Sequence, residues 1–235
     1  MSRVVAAILN VVEASAGAER PQGLRERKKR RTRRLIAETA RRLFFERGFE
    51  ATTVSEVARE AEVAEQTVFN YFPTKEDLFY SGLEAFEAEL LAAVGEREQG
   101  ESALTAFARF VLRPRGVLSM EEDADPAEAT DQLQKVTRVV TDSPALLARE
   151  REIFARYTAS LAQLLADETG ADSDSLEPWV AAHALMGIHR VSIDYVRRRA
   201  LAGAGVAELA RDVPRQTRLA IESLEHGLGG YAVKT

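Results

Sequence analysis

An all-α fold is what this 235-residue sequence predicts, and three observations carry the prediction. Apolar residues recur at spacings of three and four through most of the chain, the period of a helix with one buried face. Ala, Leu, Glu and Arg dominate, while β-branched alternation is scarce. Prolines number only 7 and fall mostly between one helical pattern and the next.

The first helix is predicted over residues 27–47. Ile36, Ala40, Leu43 and Phe44 stand at i, i+4, i+7 and i+8, one apolar stripe. Gly48 lies just past its end, where a left-handed cap costs glycine little. Thr53 and Glu56 fit a capping box that opens a second helix, with Val54, Val57, Ala58 and Ala61 as its buried face. A break follows at Glu62 and Val63, then a short third helix over residues 65–71, ended by Pro73. Thr74 caps a fourth helix, predicted to run unbroken through Leu78, Phe79, Leu83, Phe86 and Leu90. After a break at residues 95–100, helices are predicted over 101–112, 126–141, 144–169, 177–202 and 206–228, with an acidic loop at 121–126. Ser143 caps a helix with Pro144 at its first position. The 177–202 helix is apolar nearly all round, through Trp179, Val180, Leu185, Met186, Ile188, Val191, Ile193, Tyr195 and Val196. Such a helix is buried on more than one side.

Charge is unevenly placed. The whole chain carries a net −5, yet residues 20–47 hold 12 basic and 3 acidic residues, a net +9 that leaves −14 for the remainder. Within it, residues 25–34 hold 8 basic residues in 10. A run of that density binds polyanions, because each neutralised phosphate releases condensed counterions. Residues 48–91 are the opposite, with 2 basic and 10 acidic residues. Ahead of the basic run, residues 1–18 resemble a weak signal peptide, but Asn10 and Glu13 interrupt the apolar part. Residues 1–24 are therefore read as an N-terminal extension.

Two short helices joined by a tight turn and propped by a longer amphipathic one make a helix-turn-helix unit, with the second short helix as the reading element. Gln66 and Asn70 pair with adenine edges, Thr67 meets a phosphate or a thymine methyl, and Glu65 accepts from a cytosine amine. Phe69 and Tyr71 exceed what so short a helix can bury, whereas Val68 and Phe72 pack inward. Lys75 opposes the helix dipole in a first turn, a position that a nearby phosphate explains.

The segment GFEATTVSEVAREAEVAEQTVFNYFPTKEDLF, residues 48–79, closely resembles the DNA-binding domain of TetR-family transcriptional regulators, most specifically in TVFNYFPTKEDL, residues 67–78. The resemblance implies an N-terminal helix-turn-helix DNA-binding domain with a connecting helix, residues 25–91. Behind it comes a C-terminal helical ligand-binding and dimerisation domain, residues 92–235. Carried over by position, Thr67, Phe69, Asn70 and Tyr71 contact DNA, Lys75 contacts a phosphate, and Thr53 stands near the backbone. Arg30, Arg31, Arg33 and Arg34, with Glu65 and Gln66, complete the expected DNA-binding set. Two positions depart from the family pattern: Glu62 replaces a frequent Gly and Ala64 a frequent Ser. If Glu62 adopts positive φ, it costs roughly 1 kcal/mol relative to glycine.

The resemblance further implies a homodimer, paired through the last two long helices, that binds a double-stranded DNA operator. A small-molecule effector would release this repressor. Candidate effector contacts are Phe107, Phe110, Val136, Val140, Phe154, Tyr157, Trp179, His183 and Met186. Residues 139–152 look similar to a subgroup that senses acyl-CoA-like molecules, with Arg149, Arg151 and Arg190 as candidate phosphate cations. An apolar or acyl-CoA-like effector and a cytoplasmic location follow as expectations. An alternative is a helical dimeric ligand carrier that no longer reads DNA.

Enzymatic function finds no support. The chain has no Cys and only His183, His189 and His226 as histidines. No HExxH, GxSxG, P-loop or dinucleotide fingerprint is present, so no catalytic residue, metal site or cofactor is assigned. No apolar run approaches the ~20 residues that span a bilayer, so no membrane partner is expected.

Overall fold

The computed structural model describes residues 24–113, 125–172 and 174–233. The expected N-terminal extension and most of the acidic loop lie outside the described residues. Among the described residues ten α-helices carry the fold, and the only extended pairing is an isolated bridge between Ser102 and Val233.

Helix α1 spans Leu24–Arg47. It starts three residues earlier than the periodicity predicts, so the densest basic run is itself helical, and at 100° per residue its cations point all round the axis. Ile36, Ala40, Leu43 and Phe44 are buried, as their stripe requires. Gly48 takes φ +88 and donates its N–H to the Phe44 carbonyl at 3.0 Å, closing α1.

Helices α2 (Val54–Glu60) and α3 (Glu65–Tyr71) follow. Thr53 and Glu56 form the reciprocal capping box: the Thr53 N–H donates to Glu56 Oε2 at 2.8 Å, and the Glu56 N–H to Thr53 Oγ1 at 3.2 Å. The Thr53 N–H and the Thr53 hydroxyl, both donating to Oε2, hold the Glu56 carboxyl below its ordinary range. Glu62 adopts φ +54, the strained turn its place in the sequence implies. Ala64 is the N-cap of α3 and offers no side chain to the orphan amides behind it.

Thr74 caps α4 through a second box with Asp77. Here the structure corrects the expected unbroken fourth helix. Helix α4 is only Lys75–Phe79, and α5 begins anew at Leu83 and runs to Gly95. Gly82 separates them at φ +114, which glycine adopts far more cheaply than other residues. Tyr80, the residue after α4, is buried, and its hydroxyl donates to the Leu146 carbonyl at 3.1 Å.

The remaining helices are α6 (Ala103–Val111), α7 (Pro126–Thr141), α8 (Pro144–Thr169), α9 (Glu177–Leu201) and α10 (Val206–Leu228). Ser143 caps α8 ahead of Pro144. Helix α9 packs against α7, α8 and α10. Its apolar residues divide into two faces: Leu185, Met186, Ile188, Ile193 and Val196 are buried, whereas Trp179, Val180 and Val191 are 46%, 61% and 61% exposed. Arg97, itself buried, closes the far end of the bundle. Its guanidinium donates to the carbonyls of Val94, Glu101 and Ala232 at 2.6, 3.0 and 2.7 Å and pairs with Glu168 at 2.7 Å.

Glu62→Gly is expected to raise stability by about 0.5–1 kcal/mol, the relieved left-handed strain less the added freedom of the unfolded chain. Urea denaturation checks this, and a lowered midpoint with unchanged slope contradicts it.

Candidate nucleic-acid interface

Helix α3, the expected reading element, is positioned from beneath. Val68 and Phe72 are buried, as their assignment inward requires, in the core that contains Ile36, Leu43, Phe44 and Val57. With those two residues inside, the opposite face of α3 must point outward. Glu65, Gln66, Phe69 and Asn70 are exposed there, and Thr67 and Tyr71 are half-buried at its side. Phe69 is 39% exposed, a large apolar surface left to solvent. Gln66 Nε2 donates to Asn70 Oδ1 at 3.2 Å. Glu65 accepts a short hydrogen bond from the Ser55 hydroxyl and so braces α3 against α2. That hydrogen bond gives Glu65 a structural task besides the base contact expected of it.

Lys75 has a geometry that sequence reasoning did not supply. Its ammonium lies 4.2 Å from the centre of the Phe49 ring and donates to the Glu50 carbonyl at 3.4 Å. Phe49 in turn meets Phe44 and Phe79 at 5.1 and 5.8 Å between ring centres. The cation is thus fixed at the junction of α1, α2 and α4. Arg33 lies 4.7 Å over the Phe72 ring. Arg30, Arg31 and Arg34 are exposed, and Arg34 approaches Glu38 at 3.6 Å. Thr53 is exposed while engaged in its capping box.

The expected effector contacts separate into two groups. Phe107, Phe110, Val136, Val140, Phe154, Tyr157 and Met186 are buried within the helical bundle. Trp179 and His183 are not among them. Both lie exposed on the outer face of α9, their rings 6.5 Å apart, because residues 179 and 183 fall a full turn apart on the side away from the core. Two residues absent from the expected set occupy the centre of the inner group. The His189 ring stacks on Phe86 at 4.7 Å and 13°, and Phe86 meets Phe110 and Tyr157 at 5.3 and 5.6 Å. A histidine standing on the buried stripe of α9 was the available signal for this. Tyr157 donates its hydroxyl to the Leu83 carbonyl.

The helix-turn-helix unit is tied to the bundle through the first two turns of α8. Ser143 Oγ donates to Glu50 Oε1 at 2.7 Å, and the Leu146 carbonyl receives the Tyr80 hydroxyl. Arg149 grips Asp77 at 2.7 Å, so this candidate phosphate cation is already engaged. Arg197 of α9 binds Glu150 through two parallel hydrogen bonds of 2.8 and 2.9 Å, with both side chains buried. Burial and the Glu150 carboxylate push the Tyr80 phenol well above its ordinary range, so Tyr80 is a neutral donor. No group of three or more metal-ligating side chains occurs among the described residues.

Residues 36–81 match the family described as bacterial regulatory proteins, tetR family, and residues 115–220 match the MftR C-terminal domain. The chain belongs to the TetR family. Among curated relatives, the HTH-type transcriptional regulator TcmR of Streptomyces glaucescens is 33% identical over 153 residues, 65% of this chain and 66% of TcmR. The match therefore spans just under two thirds of that relative. The putative mycofactocin biosynthesis transcriptional regulator MftR of Mycobacterium tuberculosis is 26% identical over 160 residues, 65% of this chain and 73% of MftR. Among solved structures, Salmonella enterica GusR aligns with a TM-score of 0.48 at 18% identity, over 83% of this chain and 95% of GusR. The tetR-family match covers the end of α1 through Ser81 and so contains α2, α3 and α4 whole. TcmR and MftR are both named as regulators, not enzymes.

The buried Arg197–Glu150 pair makes a stability test for this TetR-family chain. Arg197→Met leaves an unpaired carboxylate inside and is expected to cost about 3–5 kcal/mol, whereas adding Glu150→Leu restores most of it. Thermal unfolding of both variants checks the pair, and a mild single variant contradicts the account.

Proposed function

We propose that this TetR-family chain is a dimeric transcriptional repressor that reads operator DNA with α3 and is released by a small apolar effector. The observation that carries the reading is the face of α3. Gln66, Phe69 and Asn70 are presented outward by a helix whose other side is locked into a core. A major groove admits such a helix, and amides and apolar side chains read base edges there. Thr67 and Tyr71 flank the reading face, Thr53 and Lys75 meet the backbone at its edges, and Arg30, Arg31, Arg33 and Arg34 supply the phosphate contacts.

Pairing of two copies is supported by the outer faces of α9 and α10. They enclose an open groove of about 510 Å³ whose lining includes Ile188, Val191, Leu219 and Leu224, beside the exposed Trp179 and Val180. Apolar surface of this kind is what a two-fold contact covers. A symmetric pair presents two α3 helices to half-sites about one helical turn, roughly 34–36 Å, apart. Trp179 and His183 belong to that outer surface in this reading, and the effector lodges among Phe107, Phe110, Val136, Val140, Phe154, Tyr157 and Met186. An acyl-CoA-like effector suits that apolar interior. With Arg149 held by Asp77, its phosphates fall to the exposed Arg151 and Arg190. No helix among the described residues is long and apolar enough to cross a membrane, and a repressor of this kind works in the cytoplasm, where its operator lies.

Fluorescence anisotropy with DNA from the chain's own upstream region, at physiological salt, tests the reading, with palmitoyl-CoA as the effector probe. Specific binding and its weakening by about 5- to 150-fold on adding the probe are expected. Equal affinity for unrelated DNA contradicts the regulator and favours the carrier. Replacing Arg30, Arg31 and Arg34 together by Gln is expected to weaken binding to every duplex and to reduce the salt slope by about 0.9 for each phosphate that is no longer neutralised. An unchanged slope removes the basic run from the interface.

A further inference from the structure

Helix α3 exposes two amides that are already bonded to each other, Gln66 Nε2 donating to Asn70 Oδ1 at 3.2 Å. We propose that Gln66 and Asn70 read one adenine together, as a composite edge, and not one base each. The inference rests on the DNA-reading role proposed above.

The chemistry of the pair selects the base. An amide offers one carbonyl acceptor and two N–H donors. The internal bond occupies one lone pair of the Asn70 oxygen and one hydrogen of Gln66, and it leaves the Gln66 Oε1 acceptor and the Asn70 Nδ2 donor, one on each side chain, for a base. In the major groove adenine displays an N6–H donor next to the N7 acceptor. The composite is the complement of that pattern: the Gln66 oxygen accepts from N6, and the Asn70 nitrogen donates to N7. Guanine displays two acceptors, O6 and N7, which leave the Gln66 oxygen without a donor to accept from. Cytosine displays only an amine donor, and thymine a carbonyl acceptor and a methyl group.

The neighbours on the same face favour this assignment. Phe69, 39% exposed and adjacent to Asn70, offers the apolar surface that a thymine methyl covers. Glu65, adjacent to Gln66, is held in place by Ser55, and its carboxylate disfavours the paired acceptors of guanine. The Gln66–Asn70 bond also spans one helical turn, so the two side chains are ordered before DNA arrives, which lowers the entropy lost on binding. Reading two separate bases would require breaking it.

Selection of bound duplexes from a randomised pool with the full chain defines the half-site, and base analogues then test single atoms. The expected half-site contains an adenine at which 7-deazaadenine, lacking the N7 acceptor, and purine, lacking the N6 amine, each weaken binding several-fold. In Asn70→Ala the 7-deaza replacement becomes silent, and in Gln66→Ala the loss of N6 becomes silent. Both variants lose discrimination at that same position, by about 5- to 150-fold, and the double variant loses no more than the worse single one. Circular dichroism confirms that the variants fold. Losses at two different positions that add in the double variant overturn the composite reader alone, as does an enriched site without such an adenine. A pool that yields no enriched sequence overturns the DNA-reading role as well.

Discussion

A helix of seven residues does not hold itself together in water, and α3 has less local help than most. Its N-cap is an alanine, and the chain enters it through a glutamate forced to positive φ. What fixes it is the anchorage of Val68 and Phe72. A fully buried apolar side chain of that kind contributes about 1.5–3 kcal/mol. Two such anchors outweigh the missing cap, worth about 1 kcal/mol, and the strained turn, worth a similar amount. The anchors sit one turn apart, so they fix the rotation of α3 about its axis as well as its position. The identity of the outward face follows from that rotation alone.

The same logic extends to the join with the helical bundle. Ser143, Leu146, Arg149 and Glu150 occupy consecutive turns at the start of α8, and each engages a different element: the loop before α2, the residue after α4, α4 itself and α9. Exposed ion pairs contribute little, but these are partly or wholly withdrawn from water, and Arg197–Glu150 has the two-pronged geometry that offsets burial. Because the four residues share one rigid helix, they cannot move independently. A displacement of α9 against α8 acts on the same two turns that hold Asp77 and Tyr80. The break at Gly82 lies just beyond Tyr80, so α5 leaves this join in its own direction.

Features written in local chemistry were legible in the sequence. The Thr53–Glu56 capping box, the Thr74 cap, the Gly48 cap, the Ser143–Pro144 start, the strain at Glu62 and the inward turn of Val68 and Phe72 depend on residues within a few positions of one another. The Ser81–Gly82 break was present as a breaker dipeptide, but the apolar period continues across it through Phe79, Leu83 and Phe86, and the period dominated the reading. The long-range partners were not legible. Glu150 and Arg197 lie 47 positions apart, Asp77 and Arg149 lie 72 apart, and no local pattern pairs them. A charge standing on an apolar stripe was the trace they left: Glu150 lies between Leu146 and Ile153, and Arg197 beside Val196. The outward direction of Trp179 and His183 was not legible for the converse reason. An aromatic residue on a two-sided helix carries no mark of which side it faces.

The two-sidedness of the charge now has a structural form. Of the cations on α1, Arg42 and Arg47 reach Glu60 and Glu56 of α2, at 3.3 and 3.4 Å, so the later part of the helix uses its charge to hold the three-helix unit together. The exposed cations concentrate in the first two turns, residues 25–31. The residues from Gly48 to Leu91, which include α3, carry a net −8. Positive charge is therefore concentrated in the first half of α1, where Arg33 lies over Phe72 at the end of α3, while the outward face of α3 itself carries no cation. In the reading proposed above, the acidic surface of residues 48–91 penalises any duplex that gives α3 no base contacts. Discrimination then falls on the few side chains that α3 turns outward. This is why the rotation set by Val68 and Phe72, more than the number of positive charges, decides what the molecule can recognise.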